Sequence, residues 1–264
     1  MSEAFKLWEE KIPYSTTEEV PILTYYPTPV KLGRGTVIIC PGGAYRRRSP
    51  HEGEGYAKYL NTRGLDAFVL DYRVAPSVYP AALSDIRRAI RFVRYNAEKF
   101  GIDPEKIAVM GSSAGGHLAA HAATFIGELS EETGDEIDAE CYIPNAQILC
   151  YPVLDIKGHR GSYDCLLADK VDELKEAVTP KNLATEKTPP AFIWHTAEDG
   201  AVNVCNTYRY ATRLKELNVP TEIHIFPFGK HGLGLANDEW HVNPYVTVWA
   251  DLLTEWLRLY KFID

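Results

Sequence analysis

The stretch "VMGSSAGGHLA" (residues 109–119) gathers two serines, three glycines and a histidine directly after an apolar run. Within it, Gly111-Ser112-Ser113-Ala114-Gly115 satisfies G-x-S-x-G, which makes Ser113 the candidate nucleophile. The pattern has a physical basis. A nucleophile mounted on a sharp strand-to-helix turn needs a strained backbone, and side chains two residues to either side would collide, hence glycine at 111 and 115. The helix that follows points the positive end of its dipole at the site. Exchanging the two serines leaves no glycine at the required offsets, so Ser112 is read as a turn or helix-start residue. G-x-S-x-G also arises by chance, but here it follows the strand-like "KIAVM" and precedes a helical pattern, as the turn requires.

A serine hydroxyl is a weak nucleophile until a base takes its proton and an acid orients that base. On a strand–turn–helix mount the chain order is Ser, then Asp or Glu, then His. Of the eight histidines, His51 precedes the serine and is out of order. His117 and His121 lie on the helix behind it, one turn apart, and are read as structural or surface residues. His159 falls in a polar insertion, and His195 and His224 are inside strand-like runs. His231, in "FPFGKHGLGL", occupies a glycine-flanked loop just after the last strand-like run and is the candidate base, with His241 as fallback. The acid is expected in "WHTAEDGAVNV" at Asp199, at a strand end before a turn. Glu198 and Asp155 are the alternatives. A tetrahedral intermediate needs N–H donors aimed at its oxyanion. Ala114 is expected to supply one, and the loop "CPGGAYRRRS" (40–49) the other, from Gly43 and Ala44, with Tyr45 closing one wall of the pocket.

Alternating elements must position these groups. Strands are expected over 36–40, 66–72, 106–110, 145–154, 189–197 and 221–228. Helices are expected over 56–64, 80–101, a stretch beginning at Gly115, 205–218 and 245–262. Apolar strands alternating with amphipathic helices predict an α/β fold, a mostly parallel central sheet with helices on both faces. Residues 155–188 break the rhythm with a polar insertion holding one helical piece near 166–177. An insertion of that length is an active-site cap or a surface excursion. "TGDEIDAE" (133–140) reads as a solvated acidic loop. With no linker or repeat, the expectation is one domain, 1–264, with a small cap at 155–188.

The net charge of −8 argues against nucleic acid or an anionic membrane surface as a partner. Arg46-Arg47-Arg48 is too short to reverse that. It reads as a solvated loop face, with an acidic substrate or a subunit contact as the alternative. The first ten residues lack a basic, apolar secretory leader, and no apolar run approaches a membrane span, so a cytoplasmic location is expected. Five scattered cysteines without a CxxC pair suit reduced thiols, with Cys40 and Cys150 as small core residues. The histidines form no ligand pattern, so neither metal nor cofactor is expected. The amphipathic C-terminal stretch leaves a homodimer open.

"VIICPGGAYRRRSPHEGEGYAKYLNTRGLDAFVLDYRVAP", "PAALSDIRRAIRFVRYNAEKFGIDPEKIAVMGSSAGGHLAA", "TPPAFIWHTAEDGAVNV" and "KHGLGL" resemble the α/β-hydrolase esterases known as acetyl xylan or xylan esterases, from about residue 20 to the C-terminus. The resemblance implies an α/β-hydrolase fold and a Ser-His-Asp triad of Ser113, His231 and Asp199. It also implies an oxyanion loop at Pro41–Tyr45. "PGGAY" and "GSSAGG" stand where hormone-sensitive-lipase-like esterases carry an HGGG-type loop and "GDSAGG", which favours the carbohydrate-esterase side. Ala44 replaces the final glycine of the usual "PGGGY", leaving its backbone donor available. The implied activity is hydrolysis of short acyl esters through an acyl-enzyme, with a small-molecule acetylated xylo-oligosaccharide as substrate. A feruloyl esterase, formamidase or peptidase of the same fold is the alternative. Arg73 and Asp85, in stretches that also match the family, are expected to be a buried structural ion pair.

Overall fold

The computed structural model describes residues 2–9, 11–130, 133–237 and 241–264. Its framework is an eight-stranded sheet of order β1-β2-β4-β3-β5-β6-β7-β8. The strands are β1 Glu3–Lys6, β2 Ile22–Tyr26, β3 Thr36–Cys40, β4 Asp66–Asp71, β5 Ile107–Ser112, β6 Ala146–Cys150, β7 Ala191–Thr196 and β8 Thr221–Phe226. From β4 across to β8 every neighbouring pair is parallel, while β1 and β2 run antiparallel at one edge. Strands β3, β5, β6 and β7 are buried at every position. Helices on both faces impose that uniform burial, and it explains their unbroken small and apolar runs.

The helices are α1 Glu54–Thr62, α2 Ala81–Tyr95, α3 Ala97–Phe100, α4 Ala114–Thr124, α5 Arg160–Leu167, α6 Val171–Leu174, α7 Pro180–Leu183, α8 Cys205–Glu216 and α9 Val248–Leu259. Two cores result, one on each side of the sheet. Leu83, Ile86 and Ile90 of α2, Leu118 of α4, and Tyr210 and Leu214 of α8 fill one. Tyr56 and Leu60 of α1 and Trp249, Leu253, Trp256 and Leu257 of α9 fill the other. Trp249 stacks on Trp194 of β7 at 4.9 Å between ring centroids. The apolar face of the C-terminal helix is therefore covered within the chain, so its amphipathic pattern needs no second copy.

Several expectations shift. The sequence pattern did not reveal β1, the edge strand, or β2 beside it, because both are short and only partly buried. The expected helix over 80–101 divides at Asn96 into α2 and the single turn α3, then ends on Gly101 in the left-handed conformation. The insertion holds three short helices, α5 to α7, rather than one. Tyr163, Leu166, Leu167 and Val171 from it enter the core. The acidic loop is not simply solvated. Asp135 and Asp138 both receive the guanidinium of Arg88, which α2 buries and which requires counter-charge.

Arg73 and Asp85 form the expected buried pair, with Arg73 Nη2 2.7 Å from Asp85 Oδ1 and both side chains at 0% exposure. Trp8 Nε1 donates to the same carboxylate, and Arg73 also donates to the carbonyls of Pro13 and Ala81. This cluster ties the N-terminal segment to the loop after β4 and to α2. Asp85→Ala would leave a guanidinium buried and unpaired. A loss of about 3–5 kcal/mol is expected, read as a lower urea midpoint. An unchanged midpoint would show that the pair is not structural.

Candidate active site

The carboxyl ends of the parallel strands share one edge of the sheet, and the candidate residues lie on the loops that leave it. β5 ends at Ser112, and Ser113 turns the chain into α4 with φ 54° and ψ −118°. A non-glycine residue with such a positive φ costs on the order of 1–3 kcal/mol and persists only where its surroundings enforce it. Here Ser113 N–H donates to Cys150 O, and Ser113 O accepts from the N–H groups of Val153 and His117. A Cβ on Gly111 would collide with the carbonyl of Gly115, and one on Gly115 with the carbonyl of Cys40. These are the two collisions that the motif avoids. Ser112 ends the strand rather than starting the helix, and its hydroxyl hydrogen-bonds Tyr56 Oη at 2.9 Å.

Ser113 Oγ lies 2.8 Å from His231 Nε2, and His231 Nδ1 lies 2.6 Å from Asp199 Oδ2. The three side chains come from the loops after β5, β8 and β7, with serine and histidine 118 positions apart. The other carboxylate oxygen, Oδ1, accepts from the N–H groups of Ala201 and Val202, which holds the carboxylate in one orientation. Burial would raise the Asp199 pKa, but hydrogen bonds from His195 and His231, the His231 charge and the Val202 N–H outweigh it. They hold the group well below the usual carboxylate range. The alternatives lie elsewhere. Asp155 pairs with Arg209 at 2.7 Å, Glu198 is exposed, and His241 stacks on His51 at 4.4 Å.

His195, a strand residue by sequence pattern alone, belongs to this constellation. Fully buried on β7, its Nε2 lies 3.0 Å from Asp199 Oδ2 and 3.2 Å from Val202 O, while Nδ1 lies 2.8 Å from Thr207 Oγ1. Nε2 faces two acceptors and must donate. Nδ1 can then accept from the threonine hydroxyl, so the pattern suits a neutral ring that fixes Asp199 from behind. A histidine four residues before an acid at a strand end is the only signal the sequence carries for it.

The loop after β3 contributes open donors. Among the described residues, the N–H groups of Gly43, Ala44 and Ala114 donate to no protein acceptor. Gly43, Ala44 and Tyr45 all take positive φ, at 131°, 58° and 57°. Below them Glu52 is buried; it accepts from Gly42 N–H at 2.8 Å and from Tyr151 Oη at 2.6 Å. Tyr151 Oη in turn accepts from Gly234 N–H at 2.9 Å, and its ring meets the His231 ring edge-on at 5.1 Å. One buried carboxylate thus connects the loop after β3 with the loop that carries His231. Nothing in the local sequence around Glu52 signals this role.

Tyr45 corrects an expectation. It does not wall the pocket; it is buried, with Oη 2.7 Å from His117 Nδ1 and its ring edge-on to Tyr72. The positive φ at Ala44 and Tyr45 turns the side chain inward, away from the opening. His117 also hydrogen-bonds Val178 O at 2.9 Å, and burial pushes its pKa down to about 4. His117 and His121 are both buried, so the reading of them as structural residues, rather than surface ones, fits their positions.

Ser113 and His231 open into a cavity of about 620 Å³ bordered by Gly43, Ala44, Arg46, Arg47, His159 and His241. No tryptophan or tyrosine among the described residues lines it, so any sugar stacking falls to histidine rings or to backbone faces. His159 and Gly161 bring the insertion to the cavity edge. Among the described residues no group of three His, Cys, Asp or Glu side chains is arranged to hold a metal ion, and no helix is long and apolar enough to cross a membrane. All five cysteines are free, and Cys40 and Cys150 are buried.

The BD-FAE family model matches residues 24–214. Endo-1,4-beta-xylanase B of Butyrivibrio fibrisolvens is 37% identical over 213 residues, 78% of this chain and 33% of the xylanase. The acetylxylan esterase of Xylanibacter ruminicola is 29% identical over 213 residues, 77% of this chain and 42% of that protein. The chain therefore spans well under half the length of either relative. The crystal structure of an acetyl ester-xyloside bifunctional hydrolase from Caldicellulosiruptor lactoaceticus superposes with a TM-score of 0.92 at 40% identity. It covers 99% of this chain and 97% of that one.

Proposed function

The chain belongs to the BD-FAE family and has the α/β-hydrolase fold, and from that premise we propose that it is a serine carboxylesterase acting on short acyl esters, with acetylated xylo-oligosaccharides as substrate. The observation that carries the reading is the unbroken relay from Ser113 Oγ through His231 to Asp199 Oδ2, at 2.8 and 2.6 Å, beside unengaged N–H groups. Ser113 attacks the ester carbonyl while His231 Nε2 takes its proton. Asp199 accepts from Nδ1–H, keeps the ring in that tautomer and stabilises the imidazolium. The N–H groups of Ala114, Gly43 and Ala44 receive the oxyanion, His231 returns the proton to the leaving alcohol, and water repeats the sequence on the acyl-enzyme.

The acetyl and xylo-oligosaccharide assignments draw on the names of the relatives and on a cavity edged by hydrogen-bonding side chains such as Arg46, Arg47, Ser49 and His159. The chain acts in this reading as one domain, with residues 155–188 as a small cap carrying His159 and Gly161 to the opening. Its free thiols suit a reducing, cytoplasmic setting.

Acetyl, feruloyl, formamide and peptide substrates, assayed side by side, test the reaction class. Acetylated xylo-oligosaccharides and 4-nitrophenyl acetate are expected to turn over at least about 10-fold more efficiently (kcat/KM) than the others. A preference for feruloyl esters or for amides would replace the acetyl assignment. A fluorophosphonate should label Ser113, and failure to label would remove the serine mechanism altogether.

A further inference from the structure

We propose that the cavity selects esters whose alcohol part carries a carboxylate, as in an acetylated oligosaccharide with a uronic-acid unit, through Arg46 and Arg47. The inference rests on the esterase reading above and adds a substrate class to it. Three consecutive arginines leave the loop after β3, and their side chains meet different fates. Arg48 is engaged by Glu19 at 2.7 Å, by Asp71 at 3.5 Å and by the carbonyl of Tyr72 at 2.6 Å. Among the described residues the Arg46 side chain reaches only the sulfur of Cys165, at 3.7 Å. Arg47 has no hydrogen bond or ion pair through its side chain among the described residues. Both are exposed at the cavity edge.

Charge balance makes this unusual. Acidic residues outnumber lysine and arginine 36 to 28, yet among the described residues none pairs with these two guanidinium groups. Glu52, the carboxylate that borders the cavity, is buried and already occupied by Gly42 N–H and Tyr151 Oη. Among the described residues lining the cavity no other carboxylate is present, which leaves both guanidinium groups open to an anionic ligand. Position supports the same conclusion. The N–H groups of Arg46 and Arg47 both donate to Gly43 O, at 3.0 and 3.2 Å, so both side chains spring from the turn that presents the proposed oxyanion donors. A carboxylate on a bound sugar ester would meet a pair of planar, permanently charged forks close to the reacting carbonyl. In a chain of net charge −8 this local positive field also offsets the repulsion an anionic substrate would otherwise meet.

The test compares two acetyl esters of nearly equal shape, 4-acetoxybenzoate and the neutral 4-acetoxybenzamide. In Arg46→Gln/Arg47→Gln the kcat/KM ratio, anion over amide, is expected to fall about tenfold from that of the unmodified enzyme. In the unmodified enzyme the ratio is expected to fall as NaCl rises from about 0.05 to 0.5 M, because exposed charges are screened. If the double variant keeps the ratio while both esters are hydrolysed, the inference is overturned and the esterase reading stands. Should the double variant not fold, a salt-independent ratio in the unmodified enzyme overturns it equally. Failure of the unmodified enzyme to hydrolyse any acetyl ester removes both.

Discussion

Ser113→Ala is expected to lower kcat on 4-nitrophenyl acetate by about 10⁴- to 10⁶-fold while leaving the thermal transition within a few degrees of the unmodified enzyme. Among the described residues the hydroxyl makes one hydrogen bond, with His231 Nε2, so its removal deletes the proposed nucleophile and costs the protein little else. The backbone at 113 is held by hydrogen bonds from its own N–H and C=O rather than by the side chain. Alanine meets the same cost at φ 54° as serine does. Residual turnover should reflect only the oxyanion donors and binding, which in serine hydrolases remain effective without the nucleophile. Activity within tenfold of the unmodified enzyme would show that Ser113 is not the nucleophile. A collapsed thermal transition would instead show that the hydroxyl helps to hold the turn.

Asp199→Asn is expected to lower kcat by about 10³- to 10⁴-fold with little change in KM. The carboxylate is crowded with donors, two ring nitrogens on Oδ2 and two backbone N–H groups on Oδ1. An asparagine must keep its carbonyl toward the fixed backbone N–H groups of Ala201 and Val202. Its NH₂ group then faces His195 and His231, where acceptors are now required. His231 can comply only by moving its proton from Nδ1 to Nε2, and Nε2–H can no longer take a proton from Ser113. His195 can make the same exchange, because Thr207 Oγ1 can accept as well as donate, at the loss of its hydrogen bond to Val202 O. Stability should therefore change far less than rate. Asp199→Asn within a few fold of normal kcat would mean that the acid is supplied elsewhere, and the ion pair of Asp155 with Arg209 makes that residue a poor substitute.

The strand-turn-helix mount at Ser113 was legible in the sequence because its constraints act within five residues. Gly111 and Gly115 are needed where a Cβ would strike nearby backbone, and Ser113 is the residue that such a turn projects. The buried strands were legible for a related reason. A strand covered on both faces has no solvent side on which to place a polar residue, so its composition reveals it. The partly buried strands β1 and β2 lack that signature, and Asn96 divides a helix whose periodicity runs on through it. Tyr45 was misplaced because side-chain direction in a loop depends on two successive positive φ angles, which no residue type there announces.

His195 and Glu52 mark the limit of such reading. Each is an isolated polar residue whose partners lie on other loops. Glu52 gains its meaning only when Gly42 and Tyr151 converge on it, and His195 only when Asp199 turns back over the end of β7. The local order of residues determined the strand-turn-helix mount at Ser113 and the candidate identities of Asp199 and His231, since sterics and chain order act through near neighbours and element sequence. The tertiary structure alone decided that these three meet within hydrogen-bond distance, that a second histidine braces the carboxylate, and that Arg46 and Arg47 stand beside them without counter-charge among the described residues. Those relations depend on how parallel strand ends are brought to one edge, across separations of up to 118 residues, and pairwise geometry at that range is a property of the packed sheet.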